Sequence, residues 1–209
     1  MDTDIVQTVA EYAEKVMGAE GFRYVSAVVA NCKMLALELE AEDENVQAID
    51  VDALVMAAYL HDISTVAHGF QDHHLKSAQM AVEFLQAHEV PEARIGKVEQ
   101  AIKFHIVENE EQEQPAALED QILYDAEKLG RLSGLAIVTS LIEFGARYPD
   151  RAVTGDVLAA ILRHIEERFI ELYQSLHTLP AQALAREKFN RTVAFLDGVI
   201  EHLGDATPV

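Results

Sequence analysis

Apolar residues recur three and four positions apart along most of this chain, and no sustained period-two alternation interrupts them. The spacing predicts helices over 4–17, 22–41, 51–62, 72–87, 91–107, 116–129, 131–146, 155–176 and 180–203. Glycine and proline are scarce and fall mostly between these segments. Pro91 suits the first turn of its helix, where a missing N–H costs nothing. Thr154 is placed to cap the helix that follows it. The acidic stretch 107–115 reads as a solvated connector. Neither an internal repeat nor an interdomain linker is visible, so one all-α domain over 1–209 is expected.

The informative positions are polar residues lying on apolar seams. Leu54 and Ala58 define one seam, and its next slot is His61. Asp62 follows Ala58 by four residues and Val55 by seven, so it too faces inward. Ser77, Ala81 and Leu85 lead back one turn to His73. Ile95, Val98 and Ile102 lead on to His105. Leu118 and Ile122 lead to Asp125, ahead of Leu129 and Leu132. A buried carboxylate is costly unless it is paired, protonated or metal-bound. Taken singly, each residue reads as a hydrogen-bonded histidine or a salt-bridged aspartate. Taken together, three imidazoles and two carboxylates suit Zn, Mn or Fe. Neighbours such as His61 and Asp62 diverge by about 100° on a helix, so near a helix end both can reach one centre.

Charge narrows the partners. The 209 residues carry 16 Lys+Arg against 36 Asp+Glu, a formal net charge of −20. Such a chain repels nucleic acid and anionic membrane surfaces, and no run of five basic residues offsets that. The stretch Ala53 to Leu60 is too short to span a bilayer. No basic, then apolar, leader opens the sequence. The expectation is a cytoplasmic protein with neither nucleic-acid nor membrane partners, its homo-oligomeric state left open. Lone Cys32 excludes an intrachain disulfide. An anionic substrate would need local positive charge, such as a metal.

These residues carry a resemblance. Ala57-Ala58-Tyr59-Leu60-His61-Asp62-Ile63-Ser64 resembles the signature of the HD-domain superfamily of metal-dependent phosphohydrolases. His73-His74-Leu75-Lys76-Ser77-Ala78, Ala101-Ile102-Lys103-Phe104-His105 and Leu123-Tyr124-Asp125-Ala126-Glu127-Lys128-Leu129 resemble its later segments, in order. The similarity covers about residues 20–140 and, more loosely, 180–203, within a C-terminal helical extension over 141–203. It implies a single-domain HD-type helical bundle. It further implies a metal set of His61, Asp62, His73, His105 and Asp125, with Asp62 bridging where two ions are held. His74 competes with His73, whose offset to Ser77-Ala78 fits better. The cofactor implied is one or two divalent ions of Mn, Fe, Zn, Ni or Mg. The substrate implied is a small-molecule phosphate ester or nucleotide, attacked by metal-activated water. Lys128 and Arg23 are the candidate phosphate contacts.

One position departs from the family pattern. Its first ligand is a histidine, followed four residues later by Val; here Tyr24 precedes Val28, and no histidine occurs before His61. A phenol, with its pKa about 10, is a poorer ligand than imidazole near neutrality. The seam through Val28 and Leu35 points Tyr24 into the core. Two alternatives stand beside the hydrolase: a di-iron HD-type oxygenase, implied by the similar His/Asp set of some family members, and, because of Tyr24, a degenerate, non-catalytic HD protein that binds a ligand.

Overall fold

The computed structural model describes residues 3–42, 48–106, 117–132, 134–150 and 154–204. Among them every regular element is helical: α1 (Thr3–Glu42), α2 (Val51–Leu60), α3 (Thr65–His68), α4 (His73–Ala87), α5 (Glu92–Phe104), α6 (Leu118–Arg131), α7 (Gly134–Arg147), α8 (Gly155–Gln174) and α9 (Leu179–Gly204). The acidic stretch 107–115 lies outside the described residues. No helix among them is long and apolar enough to cross a membrane. The chain divides into two compact units, residues 1–127 and 128–209, with the division falling inside α6.

In the first unit α1 packs along α2, α2 against α5, and α5 against α4. The seams read from sequence are the buried faces: Leu54 and Ala58, Ser77, Ala81 and Leu85, Val98 and Ile102 are all inaccessible to solvent. Each such Leu or Ile contributes about 1.5–3 kcal/mol relative to an exposed one. α1 is two helical runs joined at Gly18, whose φ of 70° and ψ of 177° break the helical path. That left-handed φ favours glycine, and it accounts for the gap between the helices expected over 4–17 and 22–41.

The start of α2 is pinned by charge. Asp50 caps it by accepting from the Ala53 N–H at 3.1 Å and takes a second bond from Arg94 Nε at 3.1 Å. Glu119 Oε1 accepts from the Asp50 N–H at 2.9 Å and from Lys97 Nζ at 2.8 Å. These bonds tie α2, α5 and α6 together at the end of α2 remote from His61. Pro91 stands one place earlier than expected. With ψ of 134° it is the cap ahead of α5, and Glu92 opens the helix.

In the second unit α8 and α9 pack on one another. Leu162, Ile165 and Phe169 recur at helical spacing on the buried face of α8. Thr154 caps α8 by accepting from the Val157 N–H. Lys188 of α9 donates to the Leu129 carbonyl at 3.0 Å.

Candidate metal centre

α2 stops at Leu60, so His61 and Asp62 fall in the turn that follows rather than on a continuing helix. That turn is closed by Ile63 N–H on Leu60 O at 3.2 Å and by Thr65, whose N–H and hydroxyl both donate to Asp62 O. Two serines lock it to α4. Ser64 donates its hydroxyl to His73 O at 3.0 Å, while Ser77 donates to Ser64 Oγ at 3.0 Å and accepts from the Ser64 N–H at 3.2 Å. His73 is the first residue of α4, and His105 is the C-cap of α5.

Four side chains meet here. His73 Nε2 lies 3.1 Å and His105 Nε2 3.7 Å from Asp62 Oδ1, and His61 Nε2 lies 3.4 Å from Oδ2. The Nε2 atoms of His73 and His105 are 3.3 Å apart. One donor atom each from His61, Asp62 and His105 lies within 4.8 Å of the others, and all three residues are buried.

The other ring nitrogens fix the tautomers. His61 Nδ1 faces Ala58 O at 2.9 Å, His73 Nδ1 faces Phe70 O at 2.8 Å, and His105 Nδ1 faces Ile102 O at 2.5 Å. A carbonyl only accepts, so each Nδ1 carries the hydrogen. In the neutral ring Nε2 is then a bare lone pair. Three such lone pairs converge on a carboxylate, and His61 Nε2 and Asp62 Oδ1 are buried without a hydrogen-bond partner. Orphaned buried polar atoms are costly; a cation among them satisfies all of these donors at once. Nitrogen and oxygen donors, with each imidazole oriented by a backbone carbonyl, are the chemistry of a divalent transition-metal site. The residues present fit a metal.

The electrostatics agree. Burial pushes the Asp62 carboxyl up, but the imidazoles of His105 and His61 outweigh it and hold the group far below the usual carboxylate range. Burial pulls His61 down, yet the Asp62 carboxylate, reinforced by the charge of Glu127, leaves it raised. At His105 burial wins and the ring is held lower than an ordinary histidine. A proton on His61 Nε2 must leave before that nitrogen can ligate. Metal uptake is therefore expected to release more protons at about pH 6 than at about pH 8, and affinity to rise with pH across the His61 titration. Calorimetric titration in two buffers of different ionisation enthalpy measures the difference. Equal proton release at both values would contradict it.

The remaining sequence candidates are distributed differently. Asp125 is fully buried in α6 but stands outside the group of three. His74 Nδ1 is buried without a hydrogen-bond partner; the Asp62 contact is made by His73. Tyr24 does not point into the core: it is 40% exposed, with its ring centroid 6.1 Å from that of His61. Arg23 is solvent-exposed and pairs with Glu20 at 3.6 Å. Lys128 is buried, and it is the first residue of the second unit. Sequence reasoning left Glu127 unassigned, although it is buried and its charge reaches both His61 and His105. Asn31 of α1 donates to the Ala126 carbonyl at 3.0 Å and so fixes α6 between Asp125 and Glu127.

A family profile described as HD domain matches residues 25–132, half of the chain, and spans all four residues of the cluster. The chain belongs to the HD-domain family. No curated protein sequence matches it significantly. Solved structures match this HD-domain protein along nearly its whole length. An HD-superfamily hydrolase from Bacillus thuringiensis shares 16% identity over 99% of this chain and 100% of its own, at a TM-score of 0.70. The Lin1889 protein of Listeria innocua shares 16% identity over 98% of each chain, also at 0.70. Bacillus subtilis YpgQ, solved in complex with ADP, shares 17% identity over 94% of this chain and 93% of its own, at 0.67. At such identities the likeness establishes a common fold. Membership of the HD family and the buried His61/Asp62/His105 group agree in pointing to a divalent-metal site.

Proposed function

We propose that this HD-domain protein is a phosphohydrolase that uses a divalent metal to cleave a small phosphate ester or nucleotide. The observation that carries the reading is the convergence of three carbonyl-oriented Nε2 lone pairs on the Asp62 carboxylate. When bound, a divalent cation supplies Lewis acidity, bringing water toward its deprotonated form at neutral pH and offsetting phosphoryl charge. His61, His73 and His105 would hold it through Nε2, with Asp62 presenting both oxygens. Asp125 and Tyr24 complete the proposed ligand set. The Phe70, Ala58 and Ile102 carbonyls keep the imidazoles in the ligating tautomer. Arg23 is the proposed cationic contact for the phosphate from the unit that holds the cluster.

Local positive charge also reconciles the net charge of −20 with an anionic substrate. The ADP held by YpgQ supports a nucleotide among the candidates. The test is hydrolysis of a panel of phosphate esters and nucleoside phosphates after loading with Mn, Fe, Zn, Ni or Mg, alongside elemental analysis. Turnover should fall at least about a hundredfold when the metal is chelated. A protein that neither retains metal nor hydrolyses any member of the panel is instead a ligand-binding HD protein. Iron content with oxygen-dependent turnover would make it an oxygenase.

A further inference from the structure

The loop between α3 and α4 carries a side chain that its structural task does not explain. Gly69, at φ 68°, and Asp72, at φ 53°, both take left-handed backbone conformations, and Phe70 is held between them. The carbonyl of Phe70 accepts from His73 Nδ1 at 2.8 Å and from the His73 N–H at 3.4 Å. Any residue could supply that carbonyl. Yet the ring of Phe70 is 76% exposed, more than any other large apolar side chain among the described residues. It stands edge-on to the His73 imidazole, with centroids 5.8 Å apart.

A second aromatic ring stands by the same cluster. Tyr24, from α1, sets its half-exposed ring beside His61. Single exposed apolar residues are ordinary. Aromatic rings flanking two imidazoles of one buried polar cluster, from separate elements, form an apolar rim around a charged floor. That is the composition of a small-molecule site in which a few polar groups fix one end of the ligand and apolar walls take the rest.

We propose that Phe70 is a specificity-determining residue whose exposed ring, beside the His73 imidazole, receives an aromatic or apolar group esterified to the phosphate. The inference deepens the phosphohydrolase reading and rests on it for the phosphate end. It excludes small polar esters as preferred ligands. Its range includes aryl phosphates and base-bearing phosphates, which share a flat apolar face for stacking.

The test uses binding, so that it does not depend on turnover. Metal-loaded full-length protein is titrated calorimetrically with phenylphosphonate and with methylphosphonate, which share the anionic head and differ in the apolar group. The wild type should bind the phenyl compound at least about tenfold more tightly. Phe70→Ala should lose most of that preference while methylphosphonate affinity and metal stoichiometry stay within about twofold, because the carbonyl that orients His73 is retained. Phe70→Leu, apolar but not flat, should fall between. An unchanged preference in Phe70→Ala, no preference in the wild type, or failure of both phosphonates to bind overturns the inference. A preference that follows Phe70 in a protein without hydrolytic turnover would sustain the rim and reject only the phosphohydrolase reading.

Discussion

Asp62→Ala is expected to abolish metal-dependent hydrolysis, lowering kcat/KM by at least about 10³-fold, or roughly 4 kcal/mol of transition-state stabilisation. Both oxygens of this carboxylate are engaged, Oδ1 toward His73 and His105 and Oδ2 toward His61. Its removal takes away the carboxylate on which the three imidazoles converge, so the site loses charge along with a proposed ligand. Metal per chain should drop well below the wild-type ratio. Asp62→Asn keeps the shape and removes the charge, and the same loss is expected there. Far-UV circular dichroism should remain that of a helical protein, because the buried seams of α2, α4 and α5 are untouched. His88→Ala serves as the control: His88 is exposed at the end of α4 far from His73, with its ring on Phe84 and its Nδ1 on Phe84 O, so activity should be unchanged. Full metal-dependent activity in either Asp62 variant would rule out the mechanism.

Tyr24→His is expected to tighten metal binding by one or more orders of magnitude. The phenol is protonated near neutrality, whereas an imidazole offers a ready lone pair. The ring already stands beside His61, so the new donor enters on the correct side of the cluster. Because Tyr24 is 40% exposed rather than in the core, the stability cost should stay near 1 kcal/mol or below. Metal titration of folded wild type and variant, with thermal unfolding as the companion measurement, decides the matter. Equal affinities would show that Tyr24 is itself an adequate ligand or that another residue holds that position.

The helices and the heart of the cluster were legible because both follow period 3.6. The seams through Leu54, Ser77 and Val98 point at His61, His73 and His105 by spacing alone, and the end of α2 at Leu60 lets Asp62 join them. α3 was not legible, since four residues are too few to establish a period. Glu127 was missed for a different reason. Two residues after Asp125 it lies about 200° around the helix, where periodicity assigns solvent. α6, however, is buried on all sides from Ile122 to Leu129, so face assignment by pattern loses its meaning there. The same burial takes Lys128 off the surface. Tyr24 shows the opposite error: it keeps seam spacing with Val28 but is exposed, while its neighbour Val25 takes the buried place.

Two of the three histidines end helices, and the carbonyls they engage, Ala58 O and Ile102 O, belong to the final turns of α2 and α5. Carbonyls in a last helical turn have no partner within the ideal ladder and must find one elsewhere. One set of bonds thus serves two ends, terminating the helices and aiming the imidazoles. The rings proposed as ligands are oriented by the folding of the chain, before any ion arrives. Their rotational entropy is lost on folding rather than on chelation. Ion exchange at such a centre can proceed without rebuilding the protein around it, and its affinity is governed by the chemistry of the donors more than by the work of gathering them.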